Sequence, residues 1–268
     1  MALPRMPTLF LSHGSPLLAI ADSAARRFLS TLGSRLPRPE AIVVLSAHHD
    51  AERVEVTSSA RPATIHDFGG FPRELYELEY RAPGHPELAA RVRDLLLDED
   101  IDAALEPRRG LDHGAWVPLL LMYPAADLPV VQVSIDSARD PAWHLALGRA
   151  LRPLRESGVL VIGSGGATHN LGLYMYAAGR GDDAAPPAWV AEFNDWLADA
   201  IDAGRYDDLL HYRTRAPYAA ENHPTQEHFL PLFATLGAAR DEEHGERIHA
   251  SYDRGLLSLD DYAFGLAA

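Results

Sequence analysis

Cysteine is missing altogether from the 268-residue chain. Disulfides, thiolate zinc sites and thiol nucleophiles are therefore excluded, and any metal falls to histidine and carboxylate. Long apolar runs are also lacking. No stretch reaches the roughly 18 consecutive apolar residues of a membrane span, and the start, Met-Ala-Leu-Pro-Arg-Met-Pro, has no apolar core of a signal peptide. A cytoplasmic location with no membrane partner is the expectation. Positive charge is scarce as well: 24 Lys and Arg face 38 Asp and Glu, a formal net charge of −14. Such a surface repels phosphate backbones, which argues against a nucleic-acid partner and for a small-molecule substrate. Internal repeats and low-complexity segments are absent too. What is present is a 47% hydrophobic composition, enough for one core, and 13 histidines with no tag-like tract among them.

The order of segments predicts an α/β fold over residues 1–268 as a single domain. Its central sheet is mostly parallel or mixed, is flanked by helices and carries a metal site at the C-terminal edge of the strands. Thr8-Leu-Phe-Leu-Ser12 reads as a buried strand. The pattern over 21–32 is helical, and Ala41-Ile-Val-Val-Leu45 is a β-branched run typical of a parallel strand. Val54–Ser58, Pro129–Ile135 and Gly158–Ile162 read as further strands, and helices are expected over 86–97, 143–156 with a kink at Pro153, and 189–203. The stretch Gly110-Leu-Asp-His-Gly-Ala-Trp-Val-Pro118 reads as a loop, and 240–246 as a solvated turn. A last helix is expected from Pro224 to a stop at Gly237.

Ligands of open α/β sheets gather outside the carboxyl ends of the strands. His13, His48 or His49, and His169 each follow a buried strand within a few residues. One such histidine is ordinarily a loop residue bonded to backbone. Three, in a chain without cysteine, form the kind of set a mononuclear zinc or non-haem iron site needs. In a helix beginning by Pro224, His228 lies at the margin of the apolar face formed by Phe229, Leu232, Phe233 and Leu236, whereas Glu227 faces solvent; His228 is thus the preferred further ligand. Neighbours past a strand point in opposite directions, so only one of His48 and His49 faces the site. His113, between Asp112 and Gly114, is placed to steady a substrate oxygen or orient a ligand. His66 and Asp67 are expected mainly to make an Asx turn, within a Gly-rich aromatic loop that looks like a pocket wall. The remaining histidines, at 85, 144, 211, 223, 244 and 249, are expected at the surface or in structural positions. Gly163-Ser-Gly-Gly lacks the residues of a phosphate-binding loop, and Ser164 is not in a G-x-S-x-G elbow, so neither a nucleotide site nor a serine hydrolase is supported.

Seven segments in order resemble motifs of one family: Ser12-His-Gly-Ser-Pro16, Ser46-Ala-His48, Ile65-His-Asp-Phe-Gly-Gly-Phe-Pro72, Asp112-His-Gly-Ala-Trp116, Gln132-Val-Ser-Ile-Asp136, Thr168-His-Asn-Leu171 and Pro224-Thr-Gln-Glu-His-Phe-Leu-Pro231. The chain is similar to the extradiol ring-opening dioxygenases of the DOPA 4,5-dioxygenase type, within the superfamily of the protocatechuate 4,5-dioxygenase catalytic subunit. The resemblance implies His13, His48 and His228 as metal ligands, His48 rather than His49, and His169 as the acid/base. It implies a non-haem Fe(II) enzyme that opens a catechol such as DOPA with O₂. Three neutral ligands also suit Zn(II), so a zinc hydrolase using the same histidines is the alternative, and a binding protein that has lost catalysis a third. Two positions depart from the family pattern: His49 stands where an aromatic residue is usual, and His223 where asparagine is usual. Both predict a more polar site edge.

Overall fold

The computed structural model describes residues 5–266 apart from 178, 182 and 183. Its strands are β1 (Thr8–Ser12), β2 (Ala41–Asp50), β3 (Val54–Thr57), β4 (Ala103–Glu106), β5 (Val130–Ile135), β6 (Val159–Gly165), β7 (Gly245–His249), β8 (Tyr252–Asp253), β9 (Leu257–Ser258) and β10 (Asp261–Phe264). Eight of them form one sheet in the order β4-β3-β5-β2-β6-β1-β10-β7, while β8 and β9 pair separately as a hairpin. The central strands β5, β2, β6 and β1 run parallel, and β10 and β7 add antiparallel partners beside β1. The expected α/β class with a mixed sheet holds.

The continuous apolar runs of β2 and β6 arise because both sheet faces are covered. Ile42, Val44, Leu160 and Ile162 join one core, against the helices Ala24–Arg35 and His113–Met122. Val43, Leu45, Val159 and Val161 join the opposite core, against Pro86–Asp98, Pro141–Leu151, Ala188–Asp202 and Leu230–Ala238. Phe233, fully buried in the second core, is expected to cost about 3–5 kcal/mol on truncation to alanine.

Glycine on β6 has a packing reason. A Cβ on Gly163 would fall 2.3 Å from the Pro231 carbonyl oxygen, and one on Gly165 would fall 2.1 Å from that of His228. The Gly163-Ser-Gly-Gly run therefore lets the 228–231 backbone lie directly on the strand. It brings His228 to the sheet edge and cradles no phosphate.

Several expectations need correction. Residues 113–118 are not loop: His113 opens a helix that continues through Pro118 to Met122. The Asp112 side chain caps it by accepting from Ala115 N at 3.3 Å. The last helix starts at Leu230, with Pro231 in its first turn, rather than at Pro224. The helix expected to kink at Pro153 instead stops at Leu151 and tightens into a 3₁₀ segment, Arg152–Ser157. The charged 240–246 segment is not wholly solvated. Glu243 is buried and paired with Arg155 (2.6 Å), and β7 begins at Gly245.

Candidate active site

In the sheet order, β2, β6 and β1 are neighbours, and their register pairs Ser46 with Ser164 and Ser12 with Gly165. His13 lies one residue past the end of β1, and His48 two residues beyond Ser46, so parallel pairing alone brings their side chains to one edge. His228 arrives from the turn ahead of the last helix, where Gly166 N donates to its carbonyl at 2.9 Å. The three Nε2 atoms converge: His13 to His48 is 3.0 Å, and His48 to His228 is 3.3 Å.

Each of the three holds its other ring nitrogen outward. Pro118 has no N–H to bond the Gly114 carbonyl one helical turn back. That carbonyl accepts the Ser164 hydroxyl instead. With its proton so committed, Ser164 Oγ can only accept at His13 Nδ1 (3.0 Å). His13 is thereby held as the Nδ1–H tautomer with a lone pair on the inward Nε2. The Glu227 carboxylate, 3.1 Å from His228 Nδ1, fixes His228 in the same way. His48 Nδ1 faces the Asp67 carboxylate at 3.6 Å.

Burial keeps these rings neutral. It acts first, ahead of repulsion among the neighbouring imidazoles, to hold His13 and His228 well below the usual histidine range. Burial followed by His113 brings His48 to about 4, and burial brings His169 to about 4 despite the opposing Glu227 charge. Neutral imidazoles with inward lone pairs are in the form that binds a metal. Donors about 2.0–2.1 Å from one ion at 90–110° lie about 2.9–3.4 Å apart, which matches the Nε2 spacing. The residues present therefore fit a single metal ion.

His113 and His169 flank this centre. The His169 ring stacks on His228, with centroids 3.4 Å apart and 8° between planes. The His113 ring lies 4.0 Å from that of His48 and 5.3 Å from that of His13. Two adjacent groups could hold a metal: His13, His48 and His113, and His169, Glu227 and His228. The close approach of His48 to His228 joins them.

Sequence reasoning undervalued Asp67. Its carboxylate accepts from the His113 backbone N–H (2.9 Å) and from His113 Nδ1 (3.0 Å). Burial would raise its pKa, but the His113 contacts outweigh this and hold it at about 2. The motif 65–72 was visible; its spatial neighbour was not, because His113 is 46 positions away. Asp112 was also missed as a tie: fully buried, it accepts from Ser46 Oγ (2.7 Å), Gln132 Nε2 and Arg109. Glu227 does not point to solvent as the helical wheel implied, since residues 224–229 are a turn and not a helix. The loop 65–72 does form a wall: the Phe68 ring stands edge-on to His113 at 5.7 Å and packs on Phe71 and Tyr76.

Neither departure makes an open, polar edge. His49 is buried and bonds Glu55 (3.0 Å) on the far side of β2. His223 is buried among Phe193, Tyr212 and Phe229 with Nε2 on the Ala167 carbonyl (2.9 Å). Neighbours on β2 alternate, so the free face went to His48.

Five imidazoles gathered at one edge of a parallel sheet make a candidate metal centre, of the kind a metal-dependent enzyme carries. The chain belongs to the family described as the catalytic LigB subunit of aromatic ring-opening dioxygenase, whose model matches residues 7–264. It is an extradiol aromatic ring-opening dioxygenase. It is similar to the 4,5-DOPA dioxygenase extradiol of Beta vulgaris, 44% identical over 261 residues and covering 96% of each chain. It is also similar to the protein of that name from Escherichia coli K12, 42% identical over 246 residues, 91% of this chain and 89% of the other. A solved structure of an uncharacterized Escherichia coli K12 protein superposes with a TM-score of 0.82 at 35% identity, over 97% of this chain and all of the other. An oxygenase family leaves the zinc-hydrolase alternative without support. Among the described residues no helix is long and apolar enough to cross a membrane.

Proposed function

We propose that His13, His48 and His228 hold one Fe(II) ion through Nε2, and that the protein opens a catechol such as DOPA beside its hydroxyl pair, inserting both atoms of O₂. The observation that carries this is the convergence on His48 Nε2 of His13 Nε2 (3.0 Å) and His228 Nε2 (3.3 Å), each ring backed by Ser164, Asp67 or Glu227. When bound, Fe(II) supplies a meeting point for both catechol oxygens and O₂, with electron density passing from ring to oxygen.

The chain's own groups move the protons. His169, held at about 4 by burial, is neutral at pH 7 and takes a catechol proton on a ring nitrogen. Returning that proton as the O–O bond breaks completes its acid/base role. Asp67 commits His113 Nδ1 as a donor, so His113 Nε2 is left to accept from a substrate hydroxyl and fix the ring's orientation. Phe68 and Phe71 exclude water on that side. Zn(II) is accommodated by the same three neutral nitrogens, so the choice of metal belongs to the proposal. The DOPA substrate is supported by the names of the similar plant and bacterial proteins, and a cytoplasmic site of action belongs to the same proposal.

The test is anaerobic reconstitution with Fe(II) followed by exposure to air with DOPA. Stoichiometric O₂ uptake and a yellow ring-opened product are expected. Metal-loaded protein that consumes no O₂ with any catechol overturns the reading.

A further inference from the structure

The cleft that opens beside the histidine centre ends in a charged hairpin that proton transfer does not use. A cavity lined by His13, Gly14, His169, His228 and Leu259 adjoins a second cleft of about 70 Å³, and the two share Gly14 and Leu259. At about 10–15 Å³ for each water-sized occupant, the second cleft has room for roughly five to seven heavy atoms, the size of a short side chain. Its wall is made by Ser15 and Tyr174 on one side and by Tyr252, Asp253 and Arg254 of the β8–β9 hairpin on the other.

Arg254 is unusual in backbone and in side chain. The turn is closed by Leu256 N donating to the Asp253 carbonyl at 3.1 Å, and both residues between them have positive φ, 52° at Arg254 and 68° at Gly255. Turns of this kind favour glycine, asparagine or aspartate at such positions, and an arginine there is held against its own preference. Its guanidinium lies 4.7 Å from the centre of the Tyr174 ring. The Tyr174 hydroxyl is tied down in turn, donating to Asp253 Oδ2 at 2.9 Å, with Ser15 bonding the same phenol. Burial and then Asp253 push this phenol up to about 12, so it remains a donor. The guanidinium thus lies over the face of a fixed ring, lining a cleft that begins one residue after His13, in a chain of net charge −14. A planar cation preorganised in this way matches a carboxylate.

We infer that Arg254 is the specificity residue of this site, binding a carboxylate carried on the short side chain of the catechol while Tyr174 holds its guanidinium in place. This rests on the catechol reading above. The neighbouring Asp253 carboxylate makes the same cleft tolerant of an ammonium beside that carboxylate, as in an α-amino acid.

The test is the dissociation constant of the Fe(II)-loaded protein, kept anaerobic so that no turnover occurs, for DOPA and for its carboxamide at about pH 6.5, where the amide's α-amine is still largely protonated and the pair differs in the anion. Wild type is expected to bind DOPA at least about tenfold more tightly than the amide. In Arg254→Met the preference should fall to near unity through weaker DOPA binding, and Arg254→Lys should recover part of it. A preference near unity in wild type, or one retained in Arg254→Met, overturns the assignment. Turnover in air is measured separately: if no catechol is opened, the catalytic reading fails while the binding ratio still decides the role of Arg254.

Discussion

The histidine centre and the hairpin cleft adjoin, yet they are built on opposite plans. The centre sits on strand ends and on a backbone pressed against β6, with rings that burial keeps neutral and partners that set the tautomers of His13 and His228. The cleft is carried by a two-strand hairpin outside the main sheet, with a charged, half-buried side chain on a turn of unfavourable backbone conformation. Chemistry that depends on tenths of an ångström is placed on rigid elements, and choice of substrate is placed on a loop that is free to vary.

Substitutions can break this contrast, and the largest effects belong to the centre. Replacing His13 or His228 by alanine is expected to abolish metal retention and ring opening together, measured by metal content after desalting and by O₂ uptake. His169→Ala should keep the metal while lowering kcat by about 10²–10⁴-fold; undiminished turnover would remove His169 from proton transfer. Asp67→Asn should cost about 10–100-fold in kcat, because His113 loses the carboxylate that orients its ring and His48 the one that backs it, and an unchanged kcat would remove Asp67 from the site.

Acidity sharpens the comparison from the stability side. The unfolded chain takes up protons on these histidines near pH 6.5, whereas in the folded metal-free protein His48 and His169 resist protonation down to about 4. Between those values the unfolded state binds more protons, so stability falls as pH falls. The Tm of metal-free protein should drop by roughly 5 °C or more between pH 6.5 and 4, beyond any change in a variant lacking His48 and His169. Arg254→Met, by contrast, should leave this pH profile as it is.

Much of the centre was legible because strand periodicity and strand ends are local signals. The runs 8–12, 41–45 and 158–162 placed His13, His48 or His49, and His169 at one edge without any knowledge of the sheet order. His228 reaches the cluster by another local route than the expected helix: the helix starts at Leu230 with Pro231 in its first turn, not at Pro224, and the close contact at Gly165 brings its backbone to the sheet. Asp67 and Ser164 stayed hidden because their roles are contacts across 46 and 151 positions. The strands after residue 244, including the hairpin that carries Arg254, are short pieces of two to five residues, too brief for a periodic pattern to mark.

Two neighbouring histidines compete for the third ligand position, since His113 lies as close to His13 and His48 as His228 does. Titrating Co(II) into metal-free wild type, His228→Ala and His113→Ala, and following the visible absorption of the bound ion, decides between them. One tight equivalent in wild type and in His113→Ala, with binding lost in His228→Ala, is the predicted result. Binding retained in His228→Ala and lost in His113→Ala would contradict the metal site proposed for this protein.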